Sequence, residues 1–96
     1  MSILEETVKN ESNAKGTTEK MKYDEKFEGY YVVTTSALNI RSVPDGKKPD
    51  SIVKCILNGE KPRCDGNYVV IDGKRWLHVD INGVFGFACD RFLAKL

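Results

Sequence analysis

The side chains of this chain that could do chemistry lie between Tyr31 and Cys89. Nucleophilic catalysis needs a nucleophile, a base within hydrogen-bond reach and a third group to orient the base. Cys89 and His78, the single histidine, are the candidate pair. A hairpin turning at Asn82-Gly83 puts both on one face, with Phe87 opposite His78 and Cys89 opposite Trp76, so a Cys–His contact would be diagonal. The competing reading is a histidine on a solvated strand and a small packed cysteine. Asn39 and Arg41, alternate residues of an extended run, suit a carboxylate clamp with a hydrogen-bonding neighbour. Equally, an Asn-x-Arg pair at a strand end anchors adjacent loops. Trp76, Phe85 and Phe87 supply the flat apolar walls that a peptide or sugar-peptide ligand needs, and Tyr30, Tyr31 and Tyr68 add rim hydroxyls. Alternatively, the three rings form a second small core under the N-terminal strand or a long loop, since uncovered they would make a patch of several hundred Å². The candidate ligand-binding residues are therefore Tyr31, Asn39, Arg41, Tyr68, Trp76, His78, Phe85 and Phe87.

Cys55, Cys64 and Cys89 are odd in number and show no C-x-x-C spacing, so neither a disulfide framework nor a zinc site is expected. The thiols read as free, with one Cys64–Cys89 or Cys55–Cys89 bridge as the alternative. No residue pattern calls for a metal or a cofactor. Lys47-Lys48 and Lys74-Arg75 read as solvated turns and not as phosphate contacts.

The elements that must position these residues read as short strands. Asn-Gly between two apolar runs is a strong hairpin signal, because a type I′ turn needs positive φ at both central residues. That turn pairs Ile81 with Val84, Val79 with Gly86 and Leu77 with Ala88 on one face. The other face collects Trp76, His78, Asp80, Phe85, Phe87 and Cys89. Upstream, Tyr30–Thr35 and Ser36–Ser42 read as extended runs, followed by a Pro-Asp-Gly loop, a strand over Ser51–Leu57 and an Asn58-Gly59 turn. Glu60–Cys64 reads as a strand that Pro62 confines to an edge or a bulge. Asp65-Gly66-Asn67 is expected to turn the chain into a short strand at Tyr68–Ile71, and Asp90–Leu93 to close it as a helical turn or last strand. Five or six short strands at this spacing, with no helical period, predict an all-β fold, and closure into a small barrel protects its edges.

The chain has 96 residues, a formal charge of +1 and a pI near 7.7, which gives no global attraction to nucleic acid or anionic membrane. Residues 1–29 carry seven acids against five bases, and residues 30–96 carry seven against ten. The first segment reads as a flexible, disordered N-terminal arm, with Tyr23 and Phe27 able to lie against the domain as a flap. Residues 30–96 read as the domain. No apolar run approaches the roughly 20 residues that span a bilayer. Met1–Glu6 is acidic and lacks the layout of a secretory leader, so the expected setting is intracellular, or the chain is a piece of a larger secreted or wall-associated protein.

Ala37-Leu38-Asn39-Ile40-Arg41-Ser42-Val43-Pro44 resembles the A-L-N-V-R-S-G-P opening of bacterial SH3 (SH3b) domains. Ile52–Ile56 with Gly59 is similar to that family's V-I-G-x-L-x-x-G segment, Trp76-Leu77-His78-Val79 to W-x-K-V, Asn82–Ala88 to N-G-K-x-G-W-V, and Asp90–Leu93 to x-x-Y-L. The motifs stand in order over residues 31–93. Val43 replaces a glycine, Pro62 stands where a β-branched residue is usual, Phe87 replaces a tryptophan, and the stretch around Tyr68–Lys74 is longer. The resemblance implies an SH3-like barrel of five to seven short strands that binds and does not catalyse. Its implied ligand is a peptide, foremost a bacterial cell-wall (peptidoglycan) stem peptide or cross-bridge. The alternative is an intracellular or phage-associated protein–protein interaction domain without a wall ligand. A monomer without nucleic-acid partners or membrane insertion is expected.

Overall fold

The computed structural model describes residues 21–46 and 48–96. Eight strands run through them: β1 (Lys22–Tyr23), β2 (Gly29–Val33), β3 (Ala37–Arg41), β4 (Ile52–Leu57), β5 (Arg63–Ile71), β6 (Lys74–Ile81), β7 (Val84–Cys89) and β8 (Leu93–Lys95). Every pairing is antiparallel, in the order β4-β3-β7-β6-β5-β2-β8 with β1 beside β5, and the sheet curls into a half-barrel. The all-β expectation holds, and the strands beyond seven are accounted for by the two-residue β1.

Asn82 and Gly83 take φ angles of 52° and 82°, the left-handed pair that a type I′ turn requires. The register that follows is the expected one: Ile81 pairs with Val84, Val79 with Gly86 and Leu77 with Ala88. Leu77, Val79, Ile81 and Ala88 are buried, and they join Val33, Leu38, Ile40 and Ile56 in the core. β7 then meets β3 at Arg41↔Phe87. The approach is close because position 86 has no side chain: a Cβ there would lie 2.6 Å from Ile40 Cγ2 and 2.7 Å from the Arg41 carbonyl oxygen.

Asp65-Gly66-Asn67 departs from expectation. It does not reverse the chain but forms a bulge inside the nine-residue β5, where the β5–β6 register shifts between Cys64 and Tyr68. The cause is the neighbouring strand. Lys22 and Tyr23 pair with Tyr68 and Asn67, and the Asp24 N–H donates to the Gly66 carbonyl at 3.0 Å. Gly66 sits at φ 95°, and the Tyr23 ring occupies the space where a Cβ would stand. The bulge's own N–H groups are satisfied locally, Asn67 N–H by Asp65 Oδ1 and Gly66 N–H by the Cys64 sulfur.

Residues 21–29, which composition assigns to the arm, are therefore part of the folded domain, while residues 1–20 lie outside the described residues. Phe27 packs edge-on against Tyr68 with centroids 4.8 Å apart, and the Arg75 guanidinium stands 4.4 Å from its ring centre. The strand expected from Glu60 begins only at Arg63, although the Glu60 and Pro62 carbonyls still accept from the Val33 and Tyr31 N–H groups. Asp90–Phe92 is a 3-10 turn, and β8 follows it directly.

Candidate binding cleft

Alternation along β6 and β7 puts Trp76, His78, Phe85, Phe87 and Cys89 on the outer face, as the register demands, but the structure treats the two ends of that face differently. At one end Phe85 is 59% exposed; at the other Trp76 is 8% exposed and Cys89 is buried beside it. The Trp76 end is covered by the loop after β3. Pro44 of that loop is buried, and a Cβ on Gly46 would be in ordinary contact with the Trp76 ring at 3.8 Å.

Arg41 holds this loop. Its Nη1 donates to the Lys48 carbonyl at 2.8 Å and to Ser51 Oγ at 3.1 Å, and the Ser51 hydroxyl donates to the same carbonyl at 2.6 Å. Ser51 is buried, so the two bonds its hydroxyl makes are partly sheltered from water, while the Arg41–Lys48 bond is exposed. Of the two readings of Asn-x-Arg, the loop anchor is the one this geometry displays.

The anchored loop leaves a cavity of about 290 Å³ beside Trp76. Leu38, Asn39 and Arg41 from β3 line one side, Lys74 and Trp76 from β6 another, and Arg91 closes the far rim. Among the described residues the lining contains three cations and no carboxylate. The Arg91 guanidinium lies 5.1 Å from the Phe92 ring centre. Neither the half-buried Asn39 carboxamide nor the indole N–H of Trp76 has a hydrogen-bond partner among the described residues, and a polar group as buried as the Trp76 N–H is seldom left so. A second hollow of about 380 Å³ continues past Gly46, Lys74 and Trp76 towards Asp45 and Asp72.

The remaining predicted residues lie elsewhere. His78 Nδ1 is 2.8 Å from Asp65 Oδ2, and its ring stacks on Phe85 and meets Phe87 edge-on, with centroids 6.1 and 5.2 Å apart. Burial would raise the Asp65 pKa, but the Asn67 N–H and the His78 bond outweigh it and hold the carboxyl below its ordinary 3.8. No hydrogen bond joins Cys89 to His78 among the described residues. Tyr31 is 5% exposed, and its hydroxyl donates to the Phe27 carbonyl at 2.8 Å. Tyr68 is half-buried against Phe27. The structure thus gathers Asn39, Arg41 and Trp76 at one cleft, puts His78, Phe85 and Phe87 near the hairpin tip, and assigns Tyr31 and Tyr68 to packing.

Sequence reasoning missed Lys74 and Arg91 as cleft residues. The usable signal was the i, i+2 spacing of Lys74 and Trp76, which places both on one face of a strand. All three cysteines are free, Cys55 exposed and Cys64 and Cys89 buried. Among the described residues no group of three or more His, Cys, Asp or Glu side chains could hold a metal ion, and no helix is long and apolar enough to cross a membrane. Comparison of the chain with protein-family models, with curated proteins and with solved structures finds no match.

Proposed function

We propose that this chain is a non-catalytic binding module of the bacterial SH3 type, whose Trp76 cleft takes a short peptide. A cell-wall stem peptide or cross-bridge is the favoured source. The observation that carries this reading is the pairing, in one small cavity, of a nearly buried indole and a carboxamide that both lack protein partners. An indole N–H donates and a carboxamide does both, which matches the alternating donors and acceptors of a peptide backbone. Leu38 and the indole ring supply apolar wall.

Catalysis is not part of the proposal. Among the described residues no hydrogen bond joins the Cys89 thiol to His78, the contact that an activated nucleophile makes with its base. A cleft of this size gives weak monovalent affinity, on the order of micromolar to millimolar, which tethering to another domain would make useful. Retention on purified peptidoglycan at low salt, beside a known wall-binding domain, tests the proposal; no retention overturns it.

A second reading, an interaction domain for a protein partner inside the cell or in a phage, draws support from exposed Phe85 stacked on His78. It predicts that Phe85→Ser abolishes partner capture while leaving peptidoglycan retention where it was.

A further inference from the structure

We infer that the Trp76 cleft recognises a carboxylate of its peptide, an inference that rests on the peptide-binding reading above. The charge of the lining points this way. The chain carries a formal net charge of only +1, yet Arg41, Lys74 and Arg91 converge on one cavity without an acid among its described lining residues. Cations gathered at one opening make a positive potential that favours an entering anion, most strongly at low salt. Arg41 already spends Nη1 on the loop, whereas Lys74 and Arg91 are exposed and make no ion pair among the described residues. By contrast the next arginine, Arg75, is paired with Asp90 and stands over Phe27. Two cations at the rim therefore remain for a ligand.

The indole N–H is the second, independent observation. Trp76 is more than nine-tenths buried, lines the cavity, and its one donor has no acceptor among the described residues. A carboxylate accepts from an indole N–H and from ammonium or guanidinium groups at once, because it offers about four lone-pair positions and no donor. A neutral carboxamide in the same place would turn an N–H₂ towards the cations. Asn39 is then left to meet the adjoining peptide group.

Trp76 is the single tryptophan, so its fluorescence reports the cleft alone. The full chain is titrated with a synthetic wall stem peptide carrying free carboxylates, with the same peptide fully carboxamidated, with its singly amidated forms, and with inorganic phosphate. The inference predicts that full amidation weakens binding about tenfold or more, the low end for hydrogen bonds to a charged group. One singly amidated form should account for most of that loss, which identifies whether a terminal or a side-chain carboxylate enters. Lys74→Gln with Arg91→Gln should weaken the free-acid peptide about tenfold and the amidated peptide much less; both residues are exposed, so the fold should survive. Equal affinity for acid and amide overturns the inference while peptide binding stands, as does an unaltered double variant. An equal response to inorganic phosphate overturns it in favour of a general anion site. If neither peptide binds, peptidoglycan retention separates the two failures: retention spares the functional reading, and its loss removes both.

Discussion

Gly86→Ala is the substitution that most directly probes how β7 is held against β3. The added methyl would sit 2.6 Å from Ile40 Cγ2 and 2.7 Å from the Arg41 carbonyl oxygen, against about 3.5–4.0 Å for an unstrained contact. One obstacle is a backbone atom, so no rotamer change removes the clash, and the strands must part by about 1 Å. Overpacking of this kind costs roughly 1–3 kcal/mol, and a struck backbone atom argues for the upper half. The smaller unfolded-state entropy of alanine returns about 0.5–1 kcal/mol, for a net loss near 2 kcal/mol. In a domain of this size that corresponds to a fall in melting temperature of about 8–16 °C. Circular dichroism melts read the shift, with Gly46→Ala as the control. There the new Cβ meets the Trp76 ring at 3.8 Å, an ordinary contact, and the change should stay within about 1 kcal/mol. Parting β3 from β7 also separates Arg41 from Trp76, so Gly86→Ala should weaken the proposed peptide binding as well. If Gly86→Ala melts within about 2 °C of the parent chain, the packing argument is refuted.

Two further outcomes follow from side-chain surroundings. The Asp65 carboxyl has a folded pKa held below its ordinary 3.8, so its stabilising effect is present above that value and is lost as the pH falls through the folded pKa. Asp65→Asn should therefore destabilise the chain modestly near neutral pH, since the side chain is 40% exposed, and the two proteins should converge in urea titrations once the pH has fallen through the lowered folded pKa. Thiol labelling should modify Cys55 at once in the native protein and Cys64 and Cys89 only on unfolding, because the latter two are 0% and 7% exposed; rapid native labelling of all three would contradict the packing.

The parts of the fold legible in the sequence are those set by local chemistry. Asn82-Gly83 dictates its turn, and with the turn comes the register of β6 and β7 and the division of their residues between two faces. The end of β4 before Asn58-Gly59 is equally local, whereas the break between Val33 and Ala37 reads in the sequence as continuous extended chain. What the sequence concealed depends on distant segments. Asp65-Gly66-Asn67 has the composition of a turn, and only the presence of Tyr23 beside Gly66 makes it a bulge. Trp76 alternates outward like Phe85, yet the loop that Arg41 anchors covers one and not the other. Tyr31 looked like a rim hydroxyl, but the Phe27 carbonyl accepts its proton and the residue is buried in packing. The cleft was half legible for the same reason: Asn39, Arg41 and Trp76 lie in recognisable strands and Lys74 shares a strand face with Trp76, while Arg91 joins them only once the sheet curls.

Trp76, and not the exposed rings near the hairpin tip, marks the proposed binding site. Two-dimensional ¹H–¹⁵N spectra of the full chain, titrated with soluble peptidoglycan fragments, test it through a single indole resonance. The Trp76 indole N–H and the Asn39 side-chain amide should shift together and saturably, while the amides of His78 and Phe85 stay in place. Shifts confined to His78, Phe85 and Phe87, with the indole signal unmoved, would contradict it.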